Sequence, residues 1–148
     1  PGWFGALALG GSGASNYESN IVNGFRGIIR VGDVIPVETG VMAGPTGQGI
    51  RARINGCSHV PKCTINSYVE GCSRIMIVPL GYYIDGTGSN VDFVVTAFAA
   101  FLLDDSNNNG SGGSVTGRFI RYTVPGEASA EAEDRGVYTA QLYDPGLQ

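Results

Sequence analysis

Asp92-Phe93-Val94-Val95-Thr96-Ala97-Phe98-Ala99-Ala100-Phe101-Leu102-Leu103 is an almost unbroken apolar run. Its β-branched opening favours a strand over a short helix, and the lack of a polar face predicts a central strand buried on both sides. Outward from it lie further runs rich in Val, Ile, Tyr and Phe: Arg74 to Ile84 and Ile28 to Val37 before it, Thr116 to Val124 after it. Phe4 to Leu9 and Val137 to Tyr143 stand near the two ends. Arg118-Phe119-Ile120-Arg121-Tyr122-Thr123-Val124 partly alternates, as a half-buried strand does, and Pro79 belongs at a bulge or strand end because it has no N–H for a ladder. The 24 glycines among 148 residues disfavour long helices, each interior one costing about 1 kcal/mol against alanine. These features predict an all-β fold, an antiparallel β-sandwich or barrel with at most one or two short helices, as a single domain over residues 1–148.

Helical signal is confined to Pro45 to Ile54, where Pro45 suits a first helical position, Ile50 and Ile54 share a face, and Gly56 would end one or two turns. Glu127 to Arg135 reads as an exposed loop with a helical turn. Gly10-Gly11-Ser12-Gly13 and Gly44-Pro45-Thr46-Gly47-Gln48-Gly49 read as tight backbone passages; the second has no lysine after it and so is no phosphate cradle.

Charge narrows the partners. Nine Lys+Arg stand against 13 Asp+Glu, a net charge of −4. The arginines (26, 30, 51, 53, 74, 118, 121 and 135) are scattered, and Lys62 is the only lysine, so the clustered cations that displace counterions from nucleic acid are missing. No run of eighteen apolar residues exists, so no membrane span is expected in this chain.

Chemistry centres on Cys57, His59, Cys63 and Cys72. A Cys57–His59 nucleophile pair is disfavoured, because catalytic partners usually come from distant parts of a chain. Counted between cysteines the intervals are six and nine, outside the two to four favoured by structural zinc sites, so a disulfide is the expected use. Cys57–Cys72 would close a 15-residue loop worth about 3 kcal/mol; Cys57–Cys63 would close a tighter one, and either leaves one thiol over. No cofactor is expected. Asp104, Asp105, Asn107, Asn108 and Asn109 offer hard oxygens but lack an EF-hand pattern, leaving Asp104, Asp105, Asn107 and Asn109 as weak calcium candidates in a flexible loop from Asp104 to Ser114. Asn109-Gly110-Ser111 is also a glycosylation sequon. Glu38 with Asp33, or Asp85 with Asp92, could form the carboxylate pair of a hydrolase, but no motif supports an enzyme.

Several runs carry a resemblance in order along the chain: Trp3-Phe4-Gly5-Ala6-Leu7-Ala8-Leu9-Gly10-Gly11-Ser12-Gly13, Asn20-Ile21-Val22-Asn23-Gly24 and Val31-Gly32-Asp33-Val34-Ile35 come first. Glu38-Thr39-Gly40-Val41-Met42-Ala43-Gly44-Pro45-Thr46, Arg74-Ile75-Met76-Ile77-Val78-Pro79, Phe98 to Leu103 and Thr116 to Ile120 follow. Together they resemble the exported part of TadE/TadG-like proteins of tight-adherence (Flp-type) pili in Gram-positive bacteria. The resemblance implies secretion, a β-rich exported domain and a role at or beyond the cell surface; it does not imply catalysis. Members of that family usually begin with a membrane-anchoring segment, and none is expected within these 148 residues.

The expected function is therefore a structural subunit of an extracellular filament, tube or pilus, a homopolymer of copies joined at strand edges. The terminal runs supply the expected contacts: Trp3, Phe4, Leu7 and Leu9 at one end, Val137, Tyr138, Leu142 and Tyr143 at the other. The alternative is a monomeric cell-surface adhesin or glycan-binding module, with Trp3, Tyr17, Tyr68, Tyr82 and Tyr83 as stacking faces.

Overall fold

A computed structural model describes residues 5–88, 90–123 and 127–129. The element order is α1 (Ala14–Asn23), β1 (Ile28–Arg30), β2 (Val34–Pro36), α2 (Ala43–Asn55), β3 (Ile75–Asp85), β4 (Val91–Leu103), β5 (Gly117–Thr123) and β6 (Glu127–Ser129), with a short 3-10 turn at Ser111–Gly113. β4 is the spine. β3 pairs antiparallel along one of its edges, while β2 and β5 share the other, β2 against Val94 to Asp92 and β5 against Phe98 to Leu103. β1 and β6 form a separate antiparallel pair.

This corrects the all-β expectation. Among the described residues the fold is α+β, with one open antiparallel sheet of four strands and two helices, neither a sandwich nor a closed barrel. The antiparallel pairing stands as read, burial of β4 on both faces holds from Phe98 to Leu103, and the helices were underestimated. α2 holds three glycines and still runs 13 residues. At Gly49 a Cβ would come within 2.6 Å of Ile21, and at Gly47 within 2.8 Å of the Gly110 carbonyl, so the missing side chains let α2 lie close against α1 and the β4–β5 connection. Close packing outweighs the propensity cost. Glu127 to Ser129, read as loop, is the strand β6, and the described part of the run from Phe4 to Leu9 forms no named strand but bridges Leu7 to Val37.

Two apolar layers flank the sheet. On the helix side Tyr17, Ile21 and Ile50 meet Met76, Val78, Leu80, Ala99, Phe101 and Leu103. On the other side Leu7, Leu9 and Ile29 pack with the sheet residues Ile35, Ile77, Phe93, Val95, Phe98 and Ala100. The switch from odd-numbered Phe93 and Val95 to even-numbered Phe98 and Ala100 on one face follows from a bulge. Leu80 pairs with Ala97 but Gly81 pairs with Val95, which leaves Thr96 as the extra residue. Pro79 sits next to that bulge on the sheet's edge strand, where a missing N–H is tolerated.

Buried polar groups lock the helices to this frame. The Tyr17 hydroxyl and Thr46 Oγ1 are 2.9 Å apart, and burial pushes the phenol up to about 12. Arg53, 6% exposed, donates through Nε to the Ile21 carbonyl and through Nη1 to the Ser73 carbonyl at 2.7 Å. One guanidinium thus serves the C-terminal carbonyls of α1 and the approach to β3.

Candidate functional site

The chain between α2 and β3 is long and almost without regular structure, holding only a bridge between Thr64 and Ser67. Connections of this length inside a compact domain usually have a function or something that holds them. Cys57 follows Gly56, which closes α2 through its N–H to the Ala52 carbonyl. Cys72 follows Gly71, whose φ of 78° suits glycine, and accepts a turn before β3 through its own carbonyl to the Ile75 N–H. Between them the loop folds back so that four ligand-type atoms converge.

The Cys57, Cys63 and Cys72 sulfurs and a His59 ring nitrogen all lie within 4.8 Å of one another. His59 Nδ1 is 3.5 Å from Cys57 Sγ and 3.4 Å from Cys63 Sγ, and Cys72 Sγ is 3.3 Å from Cys57 Sγ. All three cysteines are free thiols in the structure. Cys63 and Cys72 are buried, Cys57 and His59 half-buried. Leu102 packs with the two buried cysteines, and Tyr68, Ile75 and Ile120 close the apolar surround.

Backbone N–H groups face the sulfurs. That of Val69 donates to Cys63 Sγ at 3.5 Å. Burial disfavours charge on Cys57, but the N–H groups of His59 and Cys63 and the neighbouring Cys72 and His59 side chains outweigh it and bring this thiol down to about 6. Burial pushes the Cys72 thiol up, and the sulfurs beside it push the same way. One negative charge is thus favoured among adjacent sulfurs and a second is resisted. Arg74, 5% exposed, fixes the frame: Nη1 donates to the Cys63 carbonyl at 2.9 Å, while Nε and Nη2 donate to the Leu103 carbonyl at 2.9 and 2.7 Å.

Other candidate residues fall elsewhere. Leu7 and Leu9 are buried in the chain's own second apolar layer, while Trp3, Phe4, Val137, Tyr138, Leu142 and Tyr143 lie outside the described residues. Asn109 is buried, its amide donating to the Asp104 and Thr116 carbonyls at 2.7 Å each and accepting from the Thr116 N–H. It brackets the ends of the Asp104–Ser114 loop, so its nitrogen is not presented for a glycan. Asp104 accepts from the Ser106 N–H, and Asp105 pairs with Lys62 at 2.7 Å. Asp33 accepts from the Arg30 N–H in the β1–β2 turn, and Glu38 accepts from the Gly13 N–H at the start of α1, where negative charge is favoured. Each carboxylate of that pair has its own structural partner. Of the aromatics considered for stacking, Tyr17 is core and Tyr83 packs edge-on against Phe93 at 5.4 Å; Tyr82 is 54% exposed.

Tyr82 belongs to a second feature. The registers Tyr82–Val94 and Val34–Val94 put these three side chains in one row across β3, β4 and β2 on the same face. Val34 is 53% exposed and Ile84, two residues along from Tyr82, 37%. Among the described residues no strand pairs with the outer edge of β3. No helix among them is long and apolar enough to cross a membrane. No family model matches the chain, and neither a curated protein nor a solved structure is similar enough to count as a match.

Proposed function

We propose that this chain is a structural subunit of an extracellular filament, tube or pilus, assembled by sheet-edge contacts between copies. The observation that supports it is the apolar row of exposed Val34, half-buried Val94 and exposed Tyr82, ending at the open edge of β3. An edge strand carries unpaired main-chain donors and acceptors, and soluble proteins usually blunt such edges with charge. Here the exposed half, Gly81 to Asp85, carries Tyr82 and Ile84 instead, with charge only at Asp85. Backbone pairing along β3 would supply affinity, and the apolar row would supply register. Growth into a fibre requires β3 to meet a different surface on the next copy, because β3 against β3 closes as a dimer.

Negative-stain images and size exclusion of the full chain test this. Polymers are the expected result, and Tyr82→Lys, which puts a charge on the edge, should return the chain to monomer without changing its circular dichroism. A chain that remains monomeric at all concentrations, or stops at a closed dimer, would overturn the filament reading. So would polymers indifferent to Tyr82→Lys. Binding to a glycan array by a chain that does not polymerise would favour an adhesin.

A further inference from the structure

We infer that Cys57, His59, Cys63 and Cys72 form a structural Zn2+ site that holds the connection between α2 and β3. The inference does not depend on polymer assembly.

Geometry leads. Tetrahedral zinc with Zn–S bonds of about 2.3 Å and Zn–N of about 2.0 to 2.1 Å places sulfurs about 3.8 Å apart and sulfur and nitrogen about 3.5 Å apart. His59 Nδ1 stands 3.5 and 3.4 Å from two of the sulfurs, and the four ligand atoms lie within 4.8 Å of one another. The 3.3 Å between Cys57 and Cys72 sulfurs needs to open by about half an ångström to match. A Cys57–Cys72 disulfide requires those sulfurs to close to about 2.05 Å, and it leaves Cys63 and His59 facing the bond with no use for their lone pairs. Four protein ligands with no open position describe a structural rather than a catalytic centre.

The surroundings fit that ion. The Val69 N–H aimed at Cys63 Sγ is the kind of donor that steadies a metal-bound thiolate. On binding, the three thiols release three protons to solvent and form three Zn–S bonds, while neutral His59 donates its Nδ1 lone pair and keeps its proton on Nε2. Three thiolates and one Zn2+ leave a net charge of −1. Arg74 is buried directly behind Cys63, and its hydrogen bonds go to main-chain carbonyls rather than to carboxylates. Its positive charge offsets that of the site. A borderline-soft ion also suits a sulfur-rich donor set that calcium or magnesium would refuse.

The test uses the full chain, purified in reductant, with Zn2+ and Co2+ as probes. Elemental analysis and native mass spectrometry should find one zinc per chain. The Co2+ form should show thiolate-to-metal charge transfer and the intense visible bands of a tetrahedral centre. In competition with a chromophoric chelator, Cys63→Ser and His59→Gln should each weaken Zn2+ by more than about 100-fold, since even outer-shell changes cost about 10- to 100-fold. Lys62→Ala, inside the same loop but not a ligand, should leave the affinity unchanged. His59 is half-buried, so His59→Gln remains informative if Cys63→Ser does not fold. A chain whose reduced form binds less than one Zn2+, or whose affinity ignores both ligand variants, overturns the site. A Cys57–Cys72 disulfide that persists in reductant and excludes zinc does the same.

Discussion

The β3–β4 ladder and the loop from Cys57 to Arg74 adjoin each other but are held by different physics. The ladder runs over eleven residue pairs and buries large side chains on both faces. Its stability is spread over many small contacts and follows apolar area. The loop, by contrast, has one bridge, exposes most of its residues, and depends on a few polar anchors: four converging ligand atoms and Arg74. Such a segment gains little from burial beyond the small cluster of Cys63, Cys72 and Leu102, so its order is concentrated in a few atoms. A single substitution there should act locally, whereas one in β4 should act on the whole molecule.

The largest effect should come from β4. Phe98, 2% exposed, belongs to the apolar layer that includes Leu7, Leu9 and Ile29, and Phe98→Ala should cost about 3–5 kcal/mol. Urea unfolding followed by circular dichroism should register this as a cooperative loss of the whole fold. Arg74→Met comes next and sharpens the contrast. It keeps the apolar stem but strips donors from the Leu103 and Cys63 carbonyls, at a cost of about 1–3 kcal/mol. Hydrogen exchange should then rise in the loop well before it rises in β3 or β4. Uniform loss of protection would mean that the loop and the ladder are one cooperative unit.

The same contrast accounts for what could be read in the sequence. β4 was legible because a strand buried on both faces writes its environment into every residue, as it does from Phe98 through Leu103. β3 and β5 were legible for a weaker version of that reason. α1 was not: Ala14-Ser15-Asn16-Tyr17-Glu18-Ser19-Asn20-Ile21-Val22-Asn23 is full of poor helix formers, and only Tyr17 and Ile21, four apart, mark its buried face. Its order comes from outside, through Asn16 and Asn20, which both donate to the Leu9 carbonyl. In α2 the glycines pointed away from a helix, because their use lies in Ile21 and Gly110, far off in the chain. At the thiol cluster the sequence reading counted intervals between cysteines alone. With His59 included, His59 and Cys63 have three residues between them, inside the usual two to four of a structural zinc site, whereas Cys57 and His59 have one. Cys72 arrives through the fold, carried by the start of β3, and no spacing rule finds it.

The smallest effect should come from the loop's surface charge. Lys62 Nζ lies 2.7 Å from Asp105 Oδ2, joining the loop to the β4–β5 connection. The hydrogen bond from Lys62, and then its charge, hold the Asp105 carboxyl below the usual carboxylate range. A depressed carboxyl stabilises the fold fully above its unfolded value of about 3.9 and loses that contribution as pH falls through the folded value. Both side chains are well exposed, at 69% and 38%, so water and salt screen the pair. Lys62→Ala should therefore cost no more than about 0.5 kcal/mol at neutral pH. Urea titrations of the wild type and Lys62→Ala should differ by that small amount at neutral pH and low salt, and converge both in acid and in high salt. A neutral-pH loss of several kcal/mol that salt does not reduce would show that Lys62 holds the loop by packing. The buried thiols and Arg74 would then no longer be its main anchors.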